Sequence, residues 1–192
     1  MKKLLVAILA LTALTINAQT FKETFDSNSM GWTEISSKDG EAVIKDGAMH
    51  MAIKKDGKKV ETHCFSILDV SKNFEIKCDA IVKKISEDGS FGIILDYIDD
   101  RTYTTFVIYV YDKKYYAAMY TKSRSISEQI KIPEKRNVKL NFSIKNTYQK
   151  LEFYVNNMKA LEARDIPLTS NGFGFFVKGK QTVDFDNVEF IQ

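Results

Sequence analysis

The sequence predicts an all-β protein, an antiparallel β-sandwich. From Thr20 onward, short runs of alternating or β-branched residues are separated by turn residues at close intervals, and no long segment keeps a helical period. About a dozen strands result, and their edges are managed by stacking two sheets face to face.

The chain begins with a different kind of segment. Met1-Lys2-Lys3 is positive, Leu4 to Ile16 is apolar, and Asn17-Ala18 ends the run on a small residue. This is the pattern of a secretory signal peptide cut after Ala18. The chain is therefore expected to divide into a signal peptide at 1–18 and a single domain at 19–192, in the periplasm or secreted. No later stretch is long and apolar enough to span a membrane, and no cysteine near the cut suggests a lipid anchor. Without Lys2 and Lys3 the charges are 26 basic against 25 acidic residues, a net +1. That balance excludes a nucleic-acid partner, whose phosphates call for a clustered basic face. The basic run Lys54 to Lys59 reads as a solvated loop.

The strands follow in order. Phe21 to Phe25 is the first, then a loop at Asp26-Ser27-Asn28-Ser29, then Gly31 to Ile35. Glu41 to Lys45 and Ala48 to Ile53 flank Asp46-Gly47, the strongest hairpin signal in the chain. Val60 to Leu68 precedes Phe74 to Ile85, which sets Phe74, Ile76, Cys78 and Ala80 on one face. Ile126 to Ile132 is stopped by Pro133. Asn137 to Lys145 alternates Val138, Leu140, Phe142 and Ile144 with polar residues, which predicts one wet face. Leu151 to Val155 lies between turns at Asn146 to Gln149 and Asn156-Asn157. Gly172 to Lys178 and Thr182 to Ile191 close the domain.

Ser90 to Thr121 is the middle of the pattern. Phe91, Ile93, Leu95 and Tyr97 alternate with Gly92, Ile94 and Asp96, so the first set is expected inside and Asp96 outside. Phe106, Ile108 and Val110 face inward, leaving Tyr103, Thr105, Val107, Tyr109 and Tyr111 outside. A two-residue turn at Lys113-Lys114 is expected to pair Tyr111 with Tyr116, Val110 with Tyr115, Ile108 with Met119 and Val107 with Tyr120. That gathers Tyr103, Tyr109, Tyr111, Tyr116 and Tyr120 on one face. A one-residue slip would undo it, since the turn lacks Asn-Gly or Asp-Gly.

Cys64 and Cys78 flank Asp69 to Asn73. A hairpin there with Leu68 opposite Phe74 sets Cys64 opposite Cys78, as a cross-strand disulfide or as two separate buried thiols. Neither Cys-x-x-Cys spacing nor more than two histidines supports a metal or redox role.

Phe25-Asp26, Gly31-Trp32, Lys45 to Met49, Asn73 to Ile76, Phe91 to Ile94, Phe153 to Asn157, Gly172 to Gly174 and Val183 to Val188 run through nearly the whole domain. In this order they resemble the concanavalin A-like lectin/glucanase superfamily, specifically secreted bacterial jelly rolls of laminin-G-like type. The resemblance implies a concanavalin A-like jelly roll with Trp32 packed in the core. It also implies a structural calcium ion away from the ligand face, held by Asp26, the Gly47 carbonyl and Asp186; no cofactor is otherwise required. Laminarinase-like members carry Glu-x-Asp-x-x-Glu, with two carboxylates about 5–5.5 Å apart for retaining hydrolysis. Here the nearest stretch is Asp96-Tyr97-Ile98-Asp99-Asp100, which has no glutamate, and no Ser-His-Asp or Cys-His set replaces it.

The expected function is non-catalytic glycan binding by an exported domain. Flat rings stack on saccharide C–H faces while carboxylates and amides take the hydroxyls. Tyr103, Tyr109, Tyr116 and Tyr120 with Asp96 are the candidate ligand-binding residues. The same tyrosines also serve as plain sheet cover. The alternatives are a structural or adhesive module binding an envelope protein, and a glycan-active hydrolase with an unrecognised site.

Overall fold

The computed structural model describes residues 19–84, 86–132 and 136–192. Residues 1–18, where a signal peptide is expected, Ile85 and Pro133 lie outside the described residues. Fifteen strands form within them. They are β1 (Thr20–Glu23), β2 (Ile35–Ser36), β3 (Gly40–Lys45), β4 (Ala48–Ile53), β5 (Lys59–Phe65), β6 (Phe74–Lys84), β7 (Ser90–Asp99) and β8 (Thr102–Tyr111). The rest are β9 (Lys114–Tyr120), β10 (Ser125–Ile130), β11 (Arg136–Thr147), β12 (Lys150–Val155), β13 (Met158–Arg164), β14 (Gly172–Lys178) and β15 (Thr182–Ile191).

They make two antiparallel sheets. The first runs β13-β12-β11-β6-β15-β4-β3-β2, and β1 takes over from β4 along β15, with Phe185 facing Met49 and Val188 facing Glu23. The second runs β10-β9-β8-β7-β14-β5. The inward residues of both sheets meet in one core, as the alternation predicts. Phe74, Ile76, Cys78 and Ala80 of β6 and Val138, Leu140, Phe142 and Ile144 of β11 are all buried there. Trp32 is in the core too, its ring stacked 5.3 Å from that of Phe175 and its indole N–H donating to Glu23 at 3.1 Å.

Turn chemistry sets the hairpins. Asp46-Gly47, Asp112-Lys113, Tyr148-Gln149 and Asn156-Asn157 each have positive φ at both residues, the geometry whose twist matches two-residue hairpins. The turn between β8 and β9 is thus Asp112-Lys113, not Lys113-Lys114, because aspartate tolerates the left-handed region. Val110 does face Tyr115, but Tyr111 faces Lys114, Ile108 faces Ala117 and Val107 faces Ala118. Those three pairs differ from expectation by two residues, which leaves every side chain on its expected face. Asn156-Asn157 leads into β13, a strand the sequence pattern did not mark.

Three further expectations are corrected. Cys64 and Cys78 are both free and buried. They cannot be hairpin partners, because β5 pairs with β14 in the second sheet and β6 with β11 and β15 in the first. The Asp69–Asn73 loop crosses between sheets instead, turned by the Asp69 carboxylate accepting from the Ser71 N–H at 3.1 Å and hydroxyl at 2.6 Å. Tyr97 is buried, but on the outer side of the second sheet. Asp96 takes φ +55° and the β7–β8 register slips between Leu95 and Asp99, a bulge that reverses the face. The third concerns Asp96 itself, described below.

Candidate functional site

The outer face of the second sheet can be read in rows across its strands. Lys59, Lys178, Ser90, Tyr109, Tyr116 and Gln129 form one row, from β5 to β10. Glu61, Phe176, Gly92, Val107, Ala118 and Ser127 form the next, and His63, Gly174, Ile94, Thr105, Tyr120 and Ser125 the third. Gly92 and Gly174 interrupt the side chains of the second and third rows. Neither tolerates one: a Cβ at Gly92 would run into the Phe106 carbonyl oxygen, and at Gly174 into that of Thr62.

On this face lies an open groove of about 610 Å³, lined in part by Val107 and Val110. Tyr103, Tyr109, Tyr120 and Phe176 supply its rings, with Ser90, Thr105, Asp88 and Lys178 among its polar groups. Tyr109 stacks on Tyr116 at 5.3 Å, and Tyr111 meets Tyr116 edge-on at 6.5 Å. Three of the four expected tyrosines thus line the groove and the fourth, Tyr116, braces it.

Asp96 does not join them. Its Oδ1 accepts from the Thr169 and Ser170 main-chain N–H groups, each at 2.6 Å, so it holds the loop before β14. A carboxylate that does meet the tyrosines is Glu61, which accepts from the Tyr103 hydroxyl at 2.9 Å and pairs with Lys59 at 2.8 Å. This bond spans β7 and β14. His63 and Tyr97 stack at 3.9 Å, and Tyr97 stacks on Tyr103 at 6.2 Å. Lys59, Glu61 and His63 alternate in the sequence with Val60, Thr62 and Cys64, a signal of one polar face. Only the sheet order shows which face that is.

The electrostatics follow from packing. Burial, then the hydrogen bond and charge of Asp100, push the Tyr97 phenol up to about 12. Burial and the Glu61 carboxylate likewise raise Tyr103. Burial lowers the His63 imidazole, against the pull of Asp100 and Glu61. Burial opposes the charge on Lys59, but Glu61 outweighs it and the ammonium is held above its usual value. At neutral pH Tyr97 and Tyr103 are therefore neutral phenols that donate hydrogen bonds, Tyr103 to the Glu61 carboxylate, while Asp88 is a second carboxylate at the groove.

No family model matches the chain, and no curated protein matches its sequence. Solved structures do match in shape. The beta-glucanase of Bacillus licheniformis aligns with a TM-score of 0.65 at 11% identity, over 89% of this chain and 97% of that one. The carbohydrate recognition domain of Emp47p aligns at 0.64 and 10%, over 90% and 94%. The fold is the concanavalin A-like jelly roll. A third match, the CBM2 module of the evolved Dit of Lactobacillus casei BL23 phage J-1, gives 0.62 at 10% identity, over 92% and 97%. Identities this low establish the fold and nothing about the site.

For calcium, the pairing on β15 brings Asp186 between the β4 and β1 partners, near the Gly47 turn and the residues after β1. Asp26 accepts from the Thr24 hydroxyl at 2.8 Å, and both Asp186 oxygens accept from Asn187. Among the described residues no group of three or more His, Cys, Asp or Glu side chains is placed to hold a metal. Two engaged carboxylates and a turn carbonyl do not make the six to eight oxygen ligands of calcium without further carbonyls and water.

Proposed function

We propose that the protein binds a saccharide chain, without cleaving it, in the groove on the outer face of the second sheet. The observation that carries this is the gathering of Tyr103, Tyr109, Tyr120 and Phe176 around one groove that Thr105 and Val107 also line, with Glu61 fixed beside it by Tyr103 and Lys59. Rings stack on sugar C–H faces, and a carboxylate held in place takes hydroxyl hydrogens without first losing side-chain freedom. The carbohydrate-binding names among the structural matches agree with this reading. The non-catalytic part rests on the engagement of Glu61 in an ion pair with Lys59 and on the lack of a Glu-x-Asp-x-x-Glu strand, although Asp88 also lines the groove. The test is binding of the purified protein to a panel of glycans and insoluble polysaccharides, with and without Tyr109→Ala. Release of reducing ends would move the reading to an enzyme.

A protein-binding module is the second reading, favoured by exposed Phe65 and Ile67 at the end of β5. Export to the periplasm or medium belongs to the proposal as well. Its support is that Gln19, directly after the expected cut, is already hydrogen-bonded to Gln192, and its test is the N-terminal mass of the protein recovered from cells. A structural calcium at Asp26, Gly47 and Asp186 is separate from saccharide binding. A melting temperature raised by calcium and restored by chelator supports it, and an unchanged one removes it.

A further inference from the structure

We infer that the saccharide surface does not end at the groove but continues across the second sheet to Phe65 on its edge strand, so that the ligand is a long chain bound over more rings than the groove holds. The inference rests on the saccharide reading of the groove and extends it.

Phe65 is the first reason. It follows Lys59, Glu61 and His63 along the outer side of β5, while Val60, Thr62 and Cys64 between them are buried. Its ring is 61% exposed, and the residue paired with it on β14 is Gly172, which has no side chain to cover it. Ile67, just beyond, is 52% exposed as well. Single exposed apolar side chains are ordinary, but two large ones close together at the end of a face lined with rings form a patch.

The second reason is what joins Phe65 to the groove. In a regular strand Tyr97 would lie on the inner side. The bulge at Asp96 sends it to the outer face beside Gly172, where a Cβ on the glycine would come within 2.8 Å of the Tyr97 Cβ. There its ring stacks on His63 at 3.9 Å and on Tyr103, a groove residue, at 6.2 Å. Rings thus lead from the groove through Tyr97 and His63 to the strand that carries Phe65. Hydrogen-bonding groups accompany them: Glu61 beside Tyr103, the Thr33 hydroxyl 3.3 Å from His63 Nε2, and Asp100, which accepts from the Tyr97 hydroxyl at 2.8 Å. Rings interleaved with polar groups are what a saccharide chain uses along its length.

The dimensions select a polymer. Tyr109 on β8 and Phe65 on β5 are three strands apart in the sheet, and Phe65 lies six residues along β5 from Lys59, which shares the Tyr109 row. Strand spacing and rise put them about 25 Å apart. No disaccharide spans that distance. The path of rings also favours one occupant for the Phe65 patch, since a separate protein partner would not need a route back to the groove.

The test is chain length. Affinities are measured by isothermal titration calorimetry for cello-, laminari-, xylo- and manno-oligosaccharides from di- to octasaccharide, with the wild type, Tyr109→Ala and Phe65→Ser. Phe65 is exposed, so its replacement leaves the core intact. In the wild type, affinity keeps rising beyond the tetrasaccharide of whichever series binds. Tyr109→Ala weakens every length. Phe65→Ser binds the shorter members as the wild type does and the octasaccharide roughly three- to tenfold more weakly, the scale of one lost ring contact. A wild-type affinity that levels off at the tetrasaccharide, or Phe65→Ser matching the wild type at every length, would overturn the extension, leave the groove standing and return Phe65 to a protein partner. Equal weakening at all lengths would make Phe65 a structural residue and overturn the extension too. Binding of no series at any length would remove groove and extension together.

Discussion

The two sheets share one core and the same in–out alternation, yet their outer faces are built differently. On the first sheet, neighbouring strands offset each other's charges. Lys139 pairs with Asp79 at 2.8 Å, Lys22 with Glu189 at 2.6 Å, Lys145 with Glu75 at 3.6 Å, and Lys159 reaches both Glu152 and Glu162. His50 is set between Asp184 and Glu41. Such a face is satisfied internally and solvated. On the second sheet the corresponding positions hold tyrosines, Phe176 and bare glycines, with a single ion pair, Lys59–Glu61, tied to a tyrosine hydroxyl. Sheet stability does not need that arrangement, since the charged face shows another way to cover a sheet. The proposed saccharide site rests on this difference.

The largest perturbation should ignore the difference between faces. Trp32→Ala removes a ring packed on Phe25, Phe173 and Phe175 and leaves buried Glu23 without its indole donor. A loss of about 3–5 kcal/mol in denaturant unfolding is expected, from cavity formation alone. A smaller effect would mean the core relaxes around the hole.

Next in size, Tyr109→Ala should reduce polysaccharide binding at least tenfold in affinity electrophoresis while leaving the fold intact. Lys145→Ala on the opposite face should change neither binding nor, beyond about 0.5 kcal/mol, stability. Equal effects of the two would erase the distinction between the faces. Glu61→Gln is expected to fall between them, because glutamine keeps an acceptor for Tyr103 but loses Lys59.

The smallest effect is one of pH. Burial lowers the His63 imidazole in the folded state, so its unfolded form binds the proton more readily. The stability this gives is fully present above the ordinary histidine value of about 6.5 and is lost as pH falls through the lower folded value. Melting temperature should therefore drop on acidification below neutrality, and less so in His63→Phe, which keeps the stack on Tyr97. An identical pH profile in that variant would remove His63 from the explanation.

Much of the fold was legible because alternation is a local signal. Val138 to Ile144 and Phe74 to Ala80 show their buried faces in a few residues, and Asp46-Gly47 shows its turn in two. The tyrosine face was legible for the same reason, and it survived a displaced turn because a shift of two residues preserves the side of every side chain. What escaped depends on distant partners. The bulge that turns Tyr97 outward rests on Asp96 meeting the Thr169 and Ser170 amides, which no local pattern contains. The cysteines looked like hairpin partners because proximity in sequence suggested it, whereas the chain between them crosses from one sheet to the other. Glu61 joins the site only because β14 and β7 lie between β5 and β8, an order set by the whole topology.

The most direct measurement is a polysaccharide pulldown with three proteins side by side: wild type, Tyr109→Ala and Lys145→Ala. Retention of the wild type and Lys145→Ala with loss of Tyr109→Ala is the expected result. Equal retention of all three, or none by folded wild type across a broad panel, would contradict a saccharide site on the aromatic face.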